Sequence, residues 1–181
     1  MEESLSARVG CAPPQVLPAF GGELLQLLCR GQISEELFLQ EVIYNTGWPI
    51  TVDELKQEIR NNFSRKVEGM EKVLEQHARE YELVLLSDHA REWVKHIHQS
   101  HPHLKVFNNR LFSYQLGQTK RESSTFQRLL TFIKKSADEC IFIDDKIENV
   151  ECARSVGIFA IHFKDAPTLI KELQKSAIIC R

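Results

Sequence analysis

No stretch of this 181-residue chain is apolar for anything near the roughly 20 residues that cross a bilayer, which excludes a transmembrane helix at the sequence level. Charge of one sign is not in excess. Twenty-three basic and 25 acidic side chains leave a formal −2 at pH 7, which argues against coating a nucleic acid or an anionic membrane surface. Cysteine is sparse and irregular: Cys11, Cys29, Cys140, Cys152 and Cys180 are odd in number and form no C-x-x-C pair. They read as free thiols in a reducing compartment, and so predict a cytoplasmic protein. The opening Met1-Glu2-Glu3 is acidic and no apolar stretch follows it, so it does not read as a secretory signal. Repeats and low-complexity segments are absent too. What remains is ordinary for a folded protein: 43% apolar and 27% charged residues. At about 100–200 residues per domain the length suggests one domain, with or without a small inserted subdomain. Such a chain buries about 70% of its unfolded surface and needs no disulfide or metal to hold together.

Periodicity divides the chain. The first fourteen residues are weakly patterned and end in Pro13-Pro14, which no helix crosses smoothly. The text from Gln15 to about Arg60 is helical. Gly31 ends one helix, Ser34 is a candidate N-cap for the next, and Thr51 or Asp53 for a third; Gly69 opens a fourth. After Tyr81 the pattern changes. Leu83-Val84-Leu85-Leu86, Cys140-Ile141-Phe142-Ile143 and Ile158 to Phe163 are short continuous apolar runs, predicted as buried parallel strands. Val106-Phe107 and Leu111 to Tyr114 are predicted as short extended pieces. Helices are expected between these runs, which implies βαβ units, right-handed crossovers and an α/β fold.

Ligands of an open parallel sheet sit beyond the carboxyl ends of its strands. The first run there ends in Ser87-Asp88 and a later one in Asp144-Asp145, while Lys120 lies in a loop before a helix. A hydroxyl and a lysine suit anionic oxygens, and a carboxylate pair suits a hard cation such as Mg²⁺. Each residue alone has a plainer reading: Ser87 as the cap of the following helix, Lys120 as a surface lysine, Asp144-Asp145 as an N-cap favoured by the helix dipole. Their order is more specific. Leu-Leu-Ser87-Asp88, then Ser113-Tyr114-Gln115-Leu116-Gly117-x-x-Lys120, then Phe142-Ile143-Asp144-Asp145-x-x-x-Asn149-x-x-x-Ala153-x-x-x-Gly157 resembles the haloacid dehalogenase (HAD) superfamily. Gly31-Gln32-Ile33-Ser34-x-x-x-Phe38 is similar to the opening of that superfamily's helical cap. The likeness covers about residues 20 to 175 and implies a Rossmannoid parallel sheet. It divides the chain into a weakly patterned segment over 1–20, a helical cap over 21–68 and an α/β core over 69–181.

The resemblance implies a Mg²⁺-dependent phosphatase acting on a small phosphorylated metabolite through a phospho-aspartate. Hydrolysis of a carbon–halogen bond is the less favoured variant. It makes Ser87 the hydroxyl that bonds the phosphoryl group, with Asp88 beside it, and Lys120 the neutralising cation. Asp145 becomes the Mg²⁺ ligand with Asp144 as ligand or support, and Asn149 braces the loop. It also exposes a gap. Phosphatases of this kind use an Asp-x-Asp on the first strand as nucleophile and general acid/base. The six aspartates, Asp53, Asp88, Asp138, Asp144, Asp145 and Asp165, contain no such pair, and no apolar strand precedes the cap-like helices. That strand would stand between the Ser87 and Asp145 strands. Its lack leaves three expectations: the two neighbours pair directly, residues 1–20 fill the gap, or the chain is a shortened form with little activity, the reading preferred here. A catalytically silent binding module is the alternative. His96, His98, His101 and His103 crowd around Pro102 and could hold a transition metal, but read more simply as a polar helix end and loop. Oligomeric state has no signature.

Overall fold

A computed structural model describes residues 1–63 and 66–179; Cys180 lies outside the described residues. In chain order the elements are α1 (Glu2–Val9), a 3₁₀ turn at Pro13–Gln15, α2 (Val16–Ala19), α3 (Gly22–Cys29), α4 (Glu35–Thr46), α5 (Val52–Asn62), α6 (Met70–His77) and β1 (Val84–Ser87). There follow α7 (Arg91–Ser100), a 3₁₀ turn at Pro102–Val106, β2 (Asn109–Phe112), α8 (Ser113–Leu116), α9 (Ser123–Ile133), a 3₁₀ turn at Ala137–Glu139, β3 (Ile141–Asp144), α10 (Ile147–Ser155), β4 (Phe159–His162) and α11 (Ala166–Ile179). The class is α/β. The caps are local chemistry: Ser34 Oγ accepts from the Leu37 N–H at 3.2 Å to start α4, and Thr51 with Glu54 forms a capping box on α5.

The chain forms two compact units. The first takes in Met1–Arg65, Asp88–Leu104 and Phe112–Gly117. Its core is Leu5, Val16, Leu28, Phe38, Leu39, Val42 and Leu55, with Ala90 and Trp93 of the later segment against it. The first twenty residues, weakly patterned in sequence, are helical, because Leu5 and Val9 fall four apart on one face and are buried. An acid also sits in this core. Glu35 is 3% exposed; Arg60 donates to both its oxygens at 2.6 Å, and Trp93 Nε1 donates to Oε1 at 2.7 Å. These bonds satisfy a charge that burial would otherwise penalise.

The second unit takes in Lys66–Ser87, Lys105–Leu111 and Gln118–Arg181. β3 and β4 run parallel, with Ile141 opposite Phe159 and Asp144 opposite His162. Phe126 of α9 meets Phe142 edge-on, centroids 5.0 Å apart. Val73 of α6 packs with Ile161, Ala166 and Leu169.

Several expectations are corrected. Among the described residues there is no continuous sheet: β1 pairs with β2, and β3 with β4. The Ser87 strand therefore does not pair with the Asp144 strand. Residues 1–20 supply no strand either, since they are spent on helices of the other unit. The apolar runs are not buried throughout. Alternate residues of a strand face opposite ways, and one face of the β3–β4 pair is covered only in part: Ile161 is buried there, while Ile141, Ile143 and Phe159 are 39%, 37% and 46% exposed. Val106 ends a 3₁₀ turn instead of being extended. Ser113 and Tyr114 are helical, because Gly117 adopts φ +69° and its N–H closes on the Ser113 carbonyl at 2.8 Å.

Candidate active site

β3 ends in a carboxylate that three donors hold. Asp144 Oδ1 accepts from the Lys146 N–H and from Asn149 Nδ2, each at 2.9 Å. Its Oδ2 accepts from Lys120 Nζ at 2.5 Å. The geometry follows from the order of residues: the strand stops at Asp144, the chain turns through Lys146, and the first turn of α10 brings Asn149 back over the strand end. Asp144 and Asn149 are buried, and the Lys120 side chain is 13% exposed. Burial alone would raise the Asp144 carboxyl; the Lys120 charge and the three hydrogen bonds outweigh it and hold the group below its ordinary value.

Lys120 arrives on a stapled loop. The Thr119 N–H donates to Glu122 Oε1 at 3.0 Å. The Thr119 carbonyl accepts from the Glu122 N–H at 3.0 Å and from the buried Thr125 hydroxyl at 2.7 Å. Thr119, Glu122 and Thr125 were not singled out in sequence. Their signal was present in the Thr119-x-x-Glu122 spacing ahead of a hydroxyl-rich helix start, which has the form of a capping box.

The other candidates stand as follows. Asp145 is exposed, and its backbone carbonyl lies 3.0 Å from His162 Nε2. Ser87 is half-buried at the end of β1. Asp88, half-buried, belongs to the first unit. There the His89 N–H donates to Ser113 Oγ at 3.0 Å, tying the chain after β1 to the chain after β2. The structure thus brings Lys120 and Asn149 each onto Asp144, while Ser87 is carried by a different pair of strands. The histidine cluster is a packed helix end: His101 is buried with Nε2 against the Phe63 carbonyl, and His103 meets its ring edge-on.

The family model for haloacid dehalogenase-like hydrolases matches residues 26–163. The chain belongs to this family. Among curated relatives, the sesquiterpene phosphatase astK of Aspergillus oryzae is 32% identical over 79 residues, 44% of this chain and 40% of that one. The bifunctional epoxide hydrolase 2 of Rattus norvegicus is 32% identical over 63 residues, 35% of this chain and 11% of that one. The chain therefore spans less than half the length of these relatives. Among solved structures, a HAD family enzyme of Bacteroides thetaiotaomicron in complex with magnesium has a TM-score of 0.72 at 16% identity, over 91% of this chain and 84% of its own. A predicted HAD-like hydrolase of Porphyromonas gingivalis has a TM-score of 0.72 at 20% identity, over 95% and 88%. At these identities the likeness is one of fold.

The HAD fold raises the question of Mg²⁺. That ion demands about six oxygen ligands in near-ideal octahedral geometry. Among the described residues no three acidic, histidine or cysteine side chains gather as a metal site. Both oxygens of Asp144 are engaged by donors, which leaves Asp145 as one exposed carboxylate beside it. This donor set does not fit a magnesium site. No helix among the described residues is long and apolar enough to cross a membrane.

Proposed function

We propose that this chain carries the phosphoryl-gripping residues of a HAD phosphatase site and that residues 1–181, by themselves, turn over no substrate. The observation that carries the reading is the Lys120–Asp144–Asn149 contact at the carboxyl end of a parallel strand. An ammonium held by a buried carboxylate at a fixed strand end is a pre-oriented partner for an anionic oxygen. In this reading Ser87 donates its hydroxyl to the phosphoryl group, Lys120 neutralises it, Asp144 and Asn149 hold Lys120 and the loop, and residues 21–68 act as the cap. The substrate is a small phosphomonoester. A relative that is a sesquiterpene phosphatase, and a fold neighbour from B. thetaiotaomicron crystallised with magnesium and inorganic phosphate, support that class.

Turnover needs a carboxylate to attack phosphorus in line, forming an acyl phosphate as the ester oxygen leaves and takes a proton. Residues 1–181 offer no Asp-x-Asp for these roles. Asp88 is the substitute next to Ser87, and in-line attack loses about 10²-fold for a misplacement of about 1 Å. The second reading, a silent binding module, is favoured by the exposed apolar side chains of Ile141, Ile143 and Phe159.

The test is p-nitrophenyl phosphate with Mg²⁺, alongside inorganic phosphate binding followed by ³¹P NMR. The expected result is no turnover, together with phosphate binding that disappears in Lys120→Ala. Turnover that is lost in both Lys120→Ala and Asp145→Ala would overturn the claim of silence. A folded, monodisperse protein that binds no phosphate would overturn the gripping role and favour the module.

A further inference from the structure

We infer that Thr125 and Glu122 are positioning residues for Lys120, acting through the two backbone groups of Thr119. Thr119 is 1% exposed and Thr125 fully buried, so water does not compete for the bonds between them. The Thr119 carbonyl accepts twice, from the Thr125 hydroxyl at 2.7 Å and the Glu122 N–H at 3.0 Å, and its N–H is held by Glu122 Oε1 at 3.0 Å. Both backbone polar groups of the residue just before Lys120 are therefore fixed from α9 and its approach. Upstream, Gln118 Nε2 donates to Ser124 Oγ at 2.8 Å. The lysine is launched from a backbone with little freedom, and its Nζ closes on Asp144 24 residues away. Removing the Thr125 hydroxyl takes away the shorter of the two bonds to the Thr119 carbonyl and loosens the ion pair without touching either charged partner.

The inference rests on the phosphoryl reading only for what Lys120 does there; its position is measured without phosphate. The probe is residue-resolved lysine acetylation by an N-hydroxysuccinimide ester, read by mass spectrometry, with exposed Lys66 and Lys135 as internal references. Thr125→Val is expected to raise Lys120 labelling about fivefold relative to the references, the factor carried by one lost hydrogen bond. Thr125→Ser, which keeps the hydroxyl, is expected to label like the native protein. Glu122→Ala, which releases the Thr119 N–H, is expected to label like Thr125→Val, and it serves where the valine variant does not fold. Asp144→Asn sets the upper limit, because it removes the partner charge. Folded Thr125→Val and Glu122→Ala proteins with native Lys120 labelling and a lowered Tm would overturn the inference and leave the staple with a structural role alone. Failure of phosphate binding with the labelling pattern intact would strike the function and spare the positioning.

Discussion

Replacing Asp144 by alanine deletes the acceptor of three donors at once: Lys120 Nζ, the Lys146 N–H and Asn149 Nδ2. Asn149 is 2% exposed and the Lys120 side chain 13%, so solvent is poorly placed to replace the lost carboxylate. Truncating one partner of a buried ion pair costs about 3–5 kcal/mol, since the surviving charge stays uncompensated. That is a large share of a total of about 5–15 kcal/mol. Lys120→Met keeps most of the stem and leaves Asp144 with two hydrogen bonds, so its loss is expected to be smaller. The double variant Lys120→Met/Asp144→Ala is expected to lose less than the sum of the singles, by about 1–3 kcal/mol, because the stranded ammonium is gone. Urea unfolding followed by far-UV circular dichroism is the assay. Tryptophan fluorescence is the wrong probe, as Trp48 and Trp93 both lie in the core of the other unit. An Asp144→Ala loss below about 1 kcal/mol, or additive singles within about 0.5 kcal/mol, would refute the claim that this pair is buried and coupled.

Three further outcomes are expected. Glu35→Ala strips Arg60 and the Trp93 N–H of their shared acceptor, and is expected to cost about 3–5 kcal/mol by guanidinium unfolding, here followed by Trp fluorescence. The Asp144 carboxyl sits below its ordinary value, so its contribution is full above about pH 4 and is lost as pH falls through the depressed folded value. Tm should therefore fall with acid more steeply in the native protein than in Asp144→Asn, and equal slopes would contradict the assignment. Gly31 has φ +71°, and a Cβ there would stand 2.8 Å from the Tyr114 carbonyl oxygen, a backbone atom that cannot turn aside. Gly31→Ala is expected to cost about 2 kcal/mol or more, read as a fall in Tm.

The candidate site was legible where its residues are close in sequence. Asp-Asp-x-x-x-Asn places Asn149 one turn past a strand end, and the bond to Asp144 follows from that spacing. Lys120 was visible through the loop that carries it, but its partner, 24 residues on, was not specified by any local pattern. Glu35 reads as an acid at a helix start, a favoured place for one; its burial depends on Arg60 and on Trp93, 58 residues away. The strands were found by composition, yet their pairing is a property of elements far apart, and a continuous apolar run does not tell whether both its faces will be covered. Leu111-Phe112-Ser113-Tyr114 alternates well enough to read as extended, and only the left-handed Gly117 turns its second half into a helix.

The exposed apolar side chains of the β3–β4 ribbon have a practical bearing on any preparation of these residues. Two isoleucines and a phenylalanine shown to water on one short ribbon favour association between molecules through apolar contact. Turbidity of these preparations is therefore expected to rise steeply with protein concentration, and shelf life to shorten with it.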